Sequence, residues 1–316
     1  MKIRSSMILG LVCIILAASL LVSFVIINQK NRTIITQEDK INDLENKLDS
    51  LRTLVFHVSE KGEDYPYARL PNASDIYRQI LTLNNDTYKI LLMPEYKGYS
   101  SWTETLHWLT DNFGGPQGIP LMLPIFGGGE NSTSTTPKLT VEQIVDALEV
   151  SNVKWLRIAE VCSWYIEHNQ SFPYEYVRQI FEFCKTNNLG VLWTEWKNDY
   201  PNKNHETFTA IQAAIQDYED VVTVSFSTNS NELEPADGFL KLKDMFQKWG
   251  ASIQPWYWNT TKNSDLMNMP PSLLLEHTIT AKGIGAEVLQ FEPYWYFFNE
   301  NGQTNKNMEL LLKILT

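Results

Sequence analysis

Apolar positions fall into three successive patterns along the chain. Residues 7–27 are apolar almost without interruption and carry no charge, and about 20 such residues span a bilayer as a helix. Ile34, Gln37, Ile41, Leu44, Leu48, Leu51, Val55 and Val58 then follow one another at alternating spacings of three and four, with charged residues between them. This spacing predicts a helical, coiled-coil-like stalk whose seam is interrupted at Gln37. Lys61-Gly62-Glu63-Asp64-Tyr65-Pro66 breaks the helix and starts a linker. Thereafter short apolar runs alternate with longer segments of helical periodicity. The runs begin near Ile90, Ile119, Val153, Gly190, Val221, Ala251 and Ala286. The helical segments cover roughly 104–112, 141–150, 174–188, 205–218, 238–249 and 271–282, with an extra helix near 74–83 and a closing one near 305–315.

Seven strand–helix units in series predict parallel strands, because each helix returns the chain to the edge where its strand began. Runs without polar alternation fit strands buried on both faces. The expected fold is α/β, a (β/α)8-type TIM barrel with seven strands visible; either the eighth is hidden in residues 65–70 or the barrel is irregular. A doubly wound open sheet is the alternative. However, no Gly-x-Gly-x-x-Gly fingerprint follows the first run, and Gly127-Gly128-Gly129 lacks the P-loop lysine. The chain divides into a transmembrane anchor (1–30), a stalk (31–60) and a barrel domain (61–316). So short a repeat is compatible both with a homo-oligomer joined through the stalk and with a monomeric helix packed on the domain. The barrel reading places Cys162 just past a strand end and Cys184 roughly 15 Å down the next helix, too far for a disulfide, so two free thiols are expected.

Charge and sequons bear on partners and location. The formal net charge is −11, and residues 1–65 hold eight Lys/Arg and eight Asp/Glu, so the deficit lies wholly in the domain. An acidic domain without a basic stripe repels nucleic acid, so no nucleic-acid partner is expected. Lys2 and Arg4 before the apolar run and Lys30 and Arg32 after it give little orientation bias. Asn-x-Ser/Thr triplets at Asn31, Asn72, Asn85, Asn131, Asn169 and Asn259 all follow the run, which predicts an exported, glycosylatable domain. The expected location is the cell membrane, single-pass, with the C-terminal domain extracellular. A cleavable signal peptide is the rival reading, but the apolar run is longer than such a segment's core.

In a barrel of this type the active site forms at the C-terminal ends of the strands. The runs here end Met93-Pro94-Glu95-Tyr96, Ile158-Ala159-Glu160, Trp193-Thr194-Glu195-Trp196, Gln254-Pro255-Trp256-Tyr257-Trp258 and Gln290-Phe291-Glu292-Pro293-Tyr294-Trp295, while the fifth leads into Asn229-Ser230-Asn231-Glu232-Leu233-Glu234. Counting back by two groups Glu195 with Trp193 and Val191, Glu292 with Gln290 and Val288, and Glu160 with Ile158 and Leu156. Each acid is therefore expected on the face that lines the barrel. Paired carboxylates between aromatic rings suit glycoside cleavage: one acid protonates the leaving oxygen, a second attacks the sugar or activates water, and rings stack on sugar faces. Single positions have plainer explanations, since a strand-end Glu is often a salt-bridge or cap residue and Trp a core filler.

Through Glu160, Glu195, Asn231-Glu232, Glu234 and Glu292, with Trp196, Trp256, Trp258 and Trp295, the domain resembles the (β/α)-barrel glycoside hydrolases in the broad sense. In many retaining members the acid/base and the nucleophile are glutamates ending the fourth and seventh strands. On seven strands the resemblance implies Glu195 and Glu292, although Thr194 precedes Glu195 where those families usually carry Asn. With a hidden first strand, Glu160 moves to the fourth position and Glu292 to the eighth. The resemblance implies Glu292 as nucleophile and Glu195 or Glu160 as acid/base. Glu95, Arg157, Trp196, Asn231, Glu232, Glu234, Trp256, Tyr257, Trp258, Tyr294 and Trp295 would line the cleft, Arg157 supplying a counter-charge. The five histidines form no metal motif, and neither metal nor cofactor is expected. The chain thus reads as a membrane-anchored extracytoplasmic glycoside hydrolase acting on glycans or polysaccharide. The alternatives are a non-catalytic carbohydrate-binding or cell-envelope protein on the same scaffold, and a structural ectodomain assembling through the stalk.

Overall fold

From Arg52 onward strand and helix alternate: β1 (Arg52–Ser59), α1 (Ala73–Thr82), β2 (Tyr88–Glu95), α2 (Trp102–Phe113), β3 (Leu121–Gly127), α3 (Val141–Val150), β4 (Val153–Ala159), α4 (Val161–Glu167), α5 (Tyr174–Asn187), β5 (Gly190–Glu195), α6 (His205–Ile215), β6 (Val222–Ser227), α7 (Pro235–Met245), β7 (Trp249–Ile253), the antiparallel hairpin β8 (Trp256–Trp258) and β9 (Leu266–Asn268), α8 (Pro271–Ile284), β10 (Val288–Phe291) and α9 (Lys306–Leu315). The computed structural model describes residues 52–59, 73–82, 88–95, 101–127, 138–195, 205–228, 235–254, 256–258, 266–268, 271–292, 296–299 and 303–315. Eight parallel strands close into a barrel in the order β1-β10-β7-β6-β5-β4-β3-β2, a TIM-barrel fold.

The eighth strand corrects the sequence reading. It is not in residues 65–70, which lie outside the described residues, but in Arg52–Ser59, which the heptad spacing assigns to the stalk. Val55 and Val58 satisfy a helical step of three, yet the segment obeys a period of two. Leu54, Phe56 and Val58 join the cluster that packs against the helices, while Val55 belongs to the cluster inside the barrel. Pairing settles the matter: Thr53 to Phe56 align with Val288 to Phe291, and Arg52 to Ser59 align with Tyr88 to Glu95. The barrel therefore begins at Arg52 rather than near residue 61. The apolar run at 7–27 and the stalk up to Leu51 lie outside the described residues. Among the described residues no helix is long and apolar enough to cross a membrane.

Helix limits follow local capping. Ser101 Oγ accepts from the Glu104 amide at 3.2 Å, and Gly114 closes α2 in the left-handed region at φ 82°. Thr140 and Gln143 exchange side-chain-to-backbone bonds of 3.3 and 2.9 Å, a capping box that starts α3. The barrel strands carry apolar side chains on two faces. The outer one, with Leu92, Leu123, Leu156, Val191, Trp193 and Leu289, meets Ile76, Leu109, Ile144, Ile180, Leu274 and Leu311 of the helices. The inner one forms a smaller apolar floor of Val55, Leu91, Met93, Met122, Leu192 and Val288, with Trp155 against it. Gly190 is needed opposite that ring, because a Cβ there would lie 2.5 Å from Trp155. Cys162 and Cys184 are both buried and free, as the barrel geometry predicts.

Candidate functional site

Glu292 follows β10 and continues the inward alternation of Val288 and Gln290. It is 8% exposed, and both carboxylate oxygens accept amide hydrogens. Gln290 Nε2 donates to Oε2 at 3.0 Å, and Gln254 Nε2 donates to Oε1 at 2.8 Å. Gln254 also reaches Ser227 Oγ at 3.1 Å, while Gln290 Oε1 accepts from Thr194 Oγ1 at 3.4 Å, which lies 2.9 Å from Ser225 Oγ. Two cationic or cation-capable groups face the same oxygen: Arg157 Nη2 from β4 and His57 Nδ1 from β1, each 3.7 Å from Glu292 Oε2. These distances are too long for hydrogen bonds but short enough for charge to act. Residues at the ends of β1, β4, β7 and β10 thus converge on one buried carboxylate above the apolar floor.

Glu160 follows β4, the strand that carries Arg157. Counting back by two aligns it with Ile158 and Leu156, and these face the helices rather than the barrel interior. The chain escapes that alternation because Glu160 adopts φ 56° and ψ 26°, a left-handed conformation that costs a side-chain-bearing residue of order 1–3 kcal/mol. Its amide donates to Thr194 O at 2.7 Å, which ties the turn to β5. Burial pushes the Glu160 carboxyl up to about 7. The Arg157 guanidinium opposes this, and the Glu292 and Glu195 carboxylates add to it. Glu160, Glu292 and Arg157 therefore share one electrostatic neighbourhood.

Glu195 departs from expectation. Val191 and Trp193, its partners in alternation, face the helices, and Glu195 goes with them. It is 0% exposed. Its Oε1 accepts from Trp193 Nε1 at 2.6 Å and from the Cys162 amide in α4 at 2.9 Å. The expected common face for the three acids thus holds for Glu292 and fails for Glu195, while Glu160 leaves the alternation of β4 at its left-handed turn. Cys162 donates its backbone amide to this arrangement, while its thiol packs into the helix-facing core.

Of the remaining candidates, Glu95 closes β2 in register with Ser59, and Trp256, Tyr257 and Trp258 form β8, opposite Asn268, Met267 and Leu266. Trp196, Asn231, Glu232, Glu234, Tyr294 and Trp295 lie outside the described residues. His168 is exposed at the end of α4, its ring stacked on Trp164 at 4.1 Å. Three contributors escape the sequence reading: His57, placed in the stalk, and the paired carboxamides Gln254 and Gln290. The alternation Thr53, Val55, His57 within a β-rich run was the available signal for the first. Among the described residues no group of three or more His, Cys, Asp or Glu is arranged to hold a metal ion.

No protein-family model matches the chain, and no curated protein does. Among solved structures, the catalytic module of a family 98 glycoside hydrolase from Streptococcus pneumoniae TIGR4 superposes with a TM-score of 0.56 at 15% identity, over 84% of this chain and 52% of that one. The chain thus spans about half the length of that module. An archaeal fructose 1,6-bisphosphate aldolase superposes with a TM-score of 0.47 at 10% identity, over 84% of this chain and 92% of that one. The likeness to the hydrolase module is one of fold.

Proposed function

We propose that the barrel is a glycoside hydrolase in which Glu160 is the general acid and Glu292 the nucleophile or general base. What supports this reading is that a buried Glu160 carboxyl and the hydrogen-bonded Glu292 carboxylate act on each other electrostatically, with Arg157 acting on both. Glu160 is pushed up to about 7 by burial, so it holds a proton to give near neutral pH. Glu292 accepts an amide hydrogen on each oxygen and faces Arg157 and His57, an arrangement suited to a carboxylate. In the reaction Glu160 would pass its proton to the leaving glycosidic oxygen as Glu292 attacks the anomeric carbon or takes a proton from water. A neighbour of the same fold that is a glycoside hydrolase is compatible with this, but the site bears the weight. The substrate class is carbohydrate, on surface glycans or polysaccharide. The aromatic residues of β8 and the strand-end loops would supply stacking surfaces. The uncharged run at 7–27 and the six sequons support a single-pass tether with the barrel outside the cell.

The test is a screen of the full chain on neutral, amino-sugar and sialylated oligosaccharides and matched p-nitrophenyl glycosides, beside Glu292→Gln and Glu160→Gln. The first variant should lose turnover on every substrate. The second should lose it on oligosaccharides but keep much of it on p-nitrophenyl glycosides, whose leaving group needs no proton. Turnover that survives both changes would remove the assignment.

A further inference from the structure

We propose that Glu195 is not a reacting acid of this site but the residue that positions Glu160, by fastening the first turn of α4 to the barrel. The inference rests on the pairing of Glu160 with Glu292 above and assigns the third glutamate a separate task.

Two tethers from β5 flank the turn. The Thr194 carbonyl accepts the Glu160 amide at 2.7 Å, and the Glu195 carboxylate accepts the Cys162 amide at 2.9 Å. Cys162 lies in the first helical turn, where amides have no partner within the helix and a negative charge is favourable. Glu160 has no side-chain cap of its own, so this external carboxylate takes on part of the capping role. The carboxylate is itself held rigidly. The Trp193 indole donates to the same oxygen at 2.6 Å, and that ring is fully buried, stacked on Phe172 at 5.6 Å and tilted against Phe181 at 6.0 Å.

Between the two tethers sits Glu160 at φ 56°, a conformation that persists only where the surroundings over-determine it. Release of the Cys162 side would let the backbone relax toward the extended or helical regions. The carboxyl would then leave the buried position that raises its pKa. Catalysis by Glu195 itself is disfavoured by its position, because it has no accessible surface. Its charge still acts across the turn, in the same direction as burial, and favours the protonated form of Glu160.

The experiment labels the full chain with glutamate carrying 13C at Cδ and follows the carboxyl resonance that Glu160→Gln removes. In the wild type this signal should titrate near 7. Glu195→Gln keeps an oxygen that can accept from both donors but removes the charge. The Glu160 midpoint should fall by a few tenths to about 1 pH unit. Turnover on the best panel substrate should stay within about tenfold of wild type, with its alkaline limb displaced by the same amount. Glu195→Leu removes the acceptor. The Glu160 midpoint should return toward the ordinary carboxyl range, and kcat should drop roughly 100-fold at nearly constant KM.

The proposal is overturned if Glu195→Gln abolishes turnover as completely as Glu160→Gln while the Glu160 midpoint stays put, since Glu195 would then be reacting. It is equally overturned if Glu195→Leu leaves both midpoint and kcat unchanged. Should the leucine variant not fold, the midpoint in the glutamine variant decides. A midpoint that moves as stated in a protein that cleaves no glycan would sink the hydrolase reading and leave the positioning role standing.

Discussion

Glu195 and Glu292 each end a barrel strand. They are 0% and 8% exposed, and each carboxylate accepts hydrogen bonds of 3.0 Å or shorter. By burial and bonding alone they are equivalents. They differ in the face they take. Glu195 follows the helix-facing side of β5, where its donors are a backbone amide and a locked indole. Glu292 follows the interior side of β10, where its companions are two carboxamides, a guanidinium and an imidazole. A strand-end glutamate is thus a structural post on one side of the sheet and a chemical group on the other. One step along a strand changes which it is.

Substitutions can break this contrast in a defined order. The largest effect is expected for Glu292→Gln: a fall in kcat/KM of about 1000-fold or more, roughly 4 kcal/mol of transition-state stabilisation, with little change in melting temperature. Glu195→Leu should show the converse weighting. It takes this acceptor away from the Trp193 indole and the Cys162 amide, and each such loss costs about 1–3 kcal/mol. Denaturant unfolding should report a total of roughly 2–6 kcal/mol.

Glu160→Gln should stabilise, and only at higher pH. The folded carboxyl keeps its proton up to about 7, whereas its ordinary value is 4.5, so the folded state binds more protons between these values. Wild-type stability therefore falls as pH rises through that window. The glutamine variant escapes the loss: no advantage below 4.5, a growing one through the window, and a full one of order 3 kcal/mol above it. Melting curves of both proteins across pH test this. His277 titrates in the opposite sense, since burial pulls it down to about 4, so its charging weakens the fold as pH falls from 6.5. That contribution is common to both proteins and cancels in the difference. The smallest effect is expected for Trp193→Phe, which removes the indole donor to Glu195 and should cost about 1 kcal/mol, read by chemical denaturation with activity largely kept.

Much of the barrel was legible because strands buried on both faces read as uninterrupted apolar runs and the helices between them as 3.6-residue periods. Thr140 with Gln143 even marks the start of α3 at Val141. The first strand was hidden by coincidence. Val55 and Val58 continue a heptad begun far upstream, and only pairing with β2 and β10 shows that a period of two prevails. The site was half legible. Alternation places Glu292 correctly because Val288 and Gln290 continue inward without a break. The same count misleads for Glu160 and Glu195, since nothing in Ile158-Ala159-Glu160 announces a left-handed turn at a non-glycine residue. Apolar runs do not say which of two buried faces is the interior, either. Gln254 and Gln290 carry no signature of their own, as carboxamides acquire meaning only from the carboxylate they hold.

The register of β1 has one more consequence. Arg52 aligns with Tyr88, and the Tyr88 hydroxyl donates to the Leu315 carbonyl at 2.6 Å. The start of β1 and the end of α9 are therefore both joined to Tyr88, at the end of the barrel away from the mouth. Topologically the domain is a ring with a cut in it. A short linker could join Leu315 to Arg52, with new ends opened in another floor-side loop, and the eight repeats would read in a different order without disturbing the carboxyl groups at the far end.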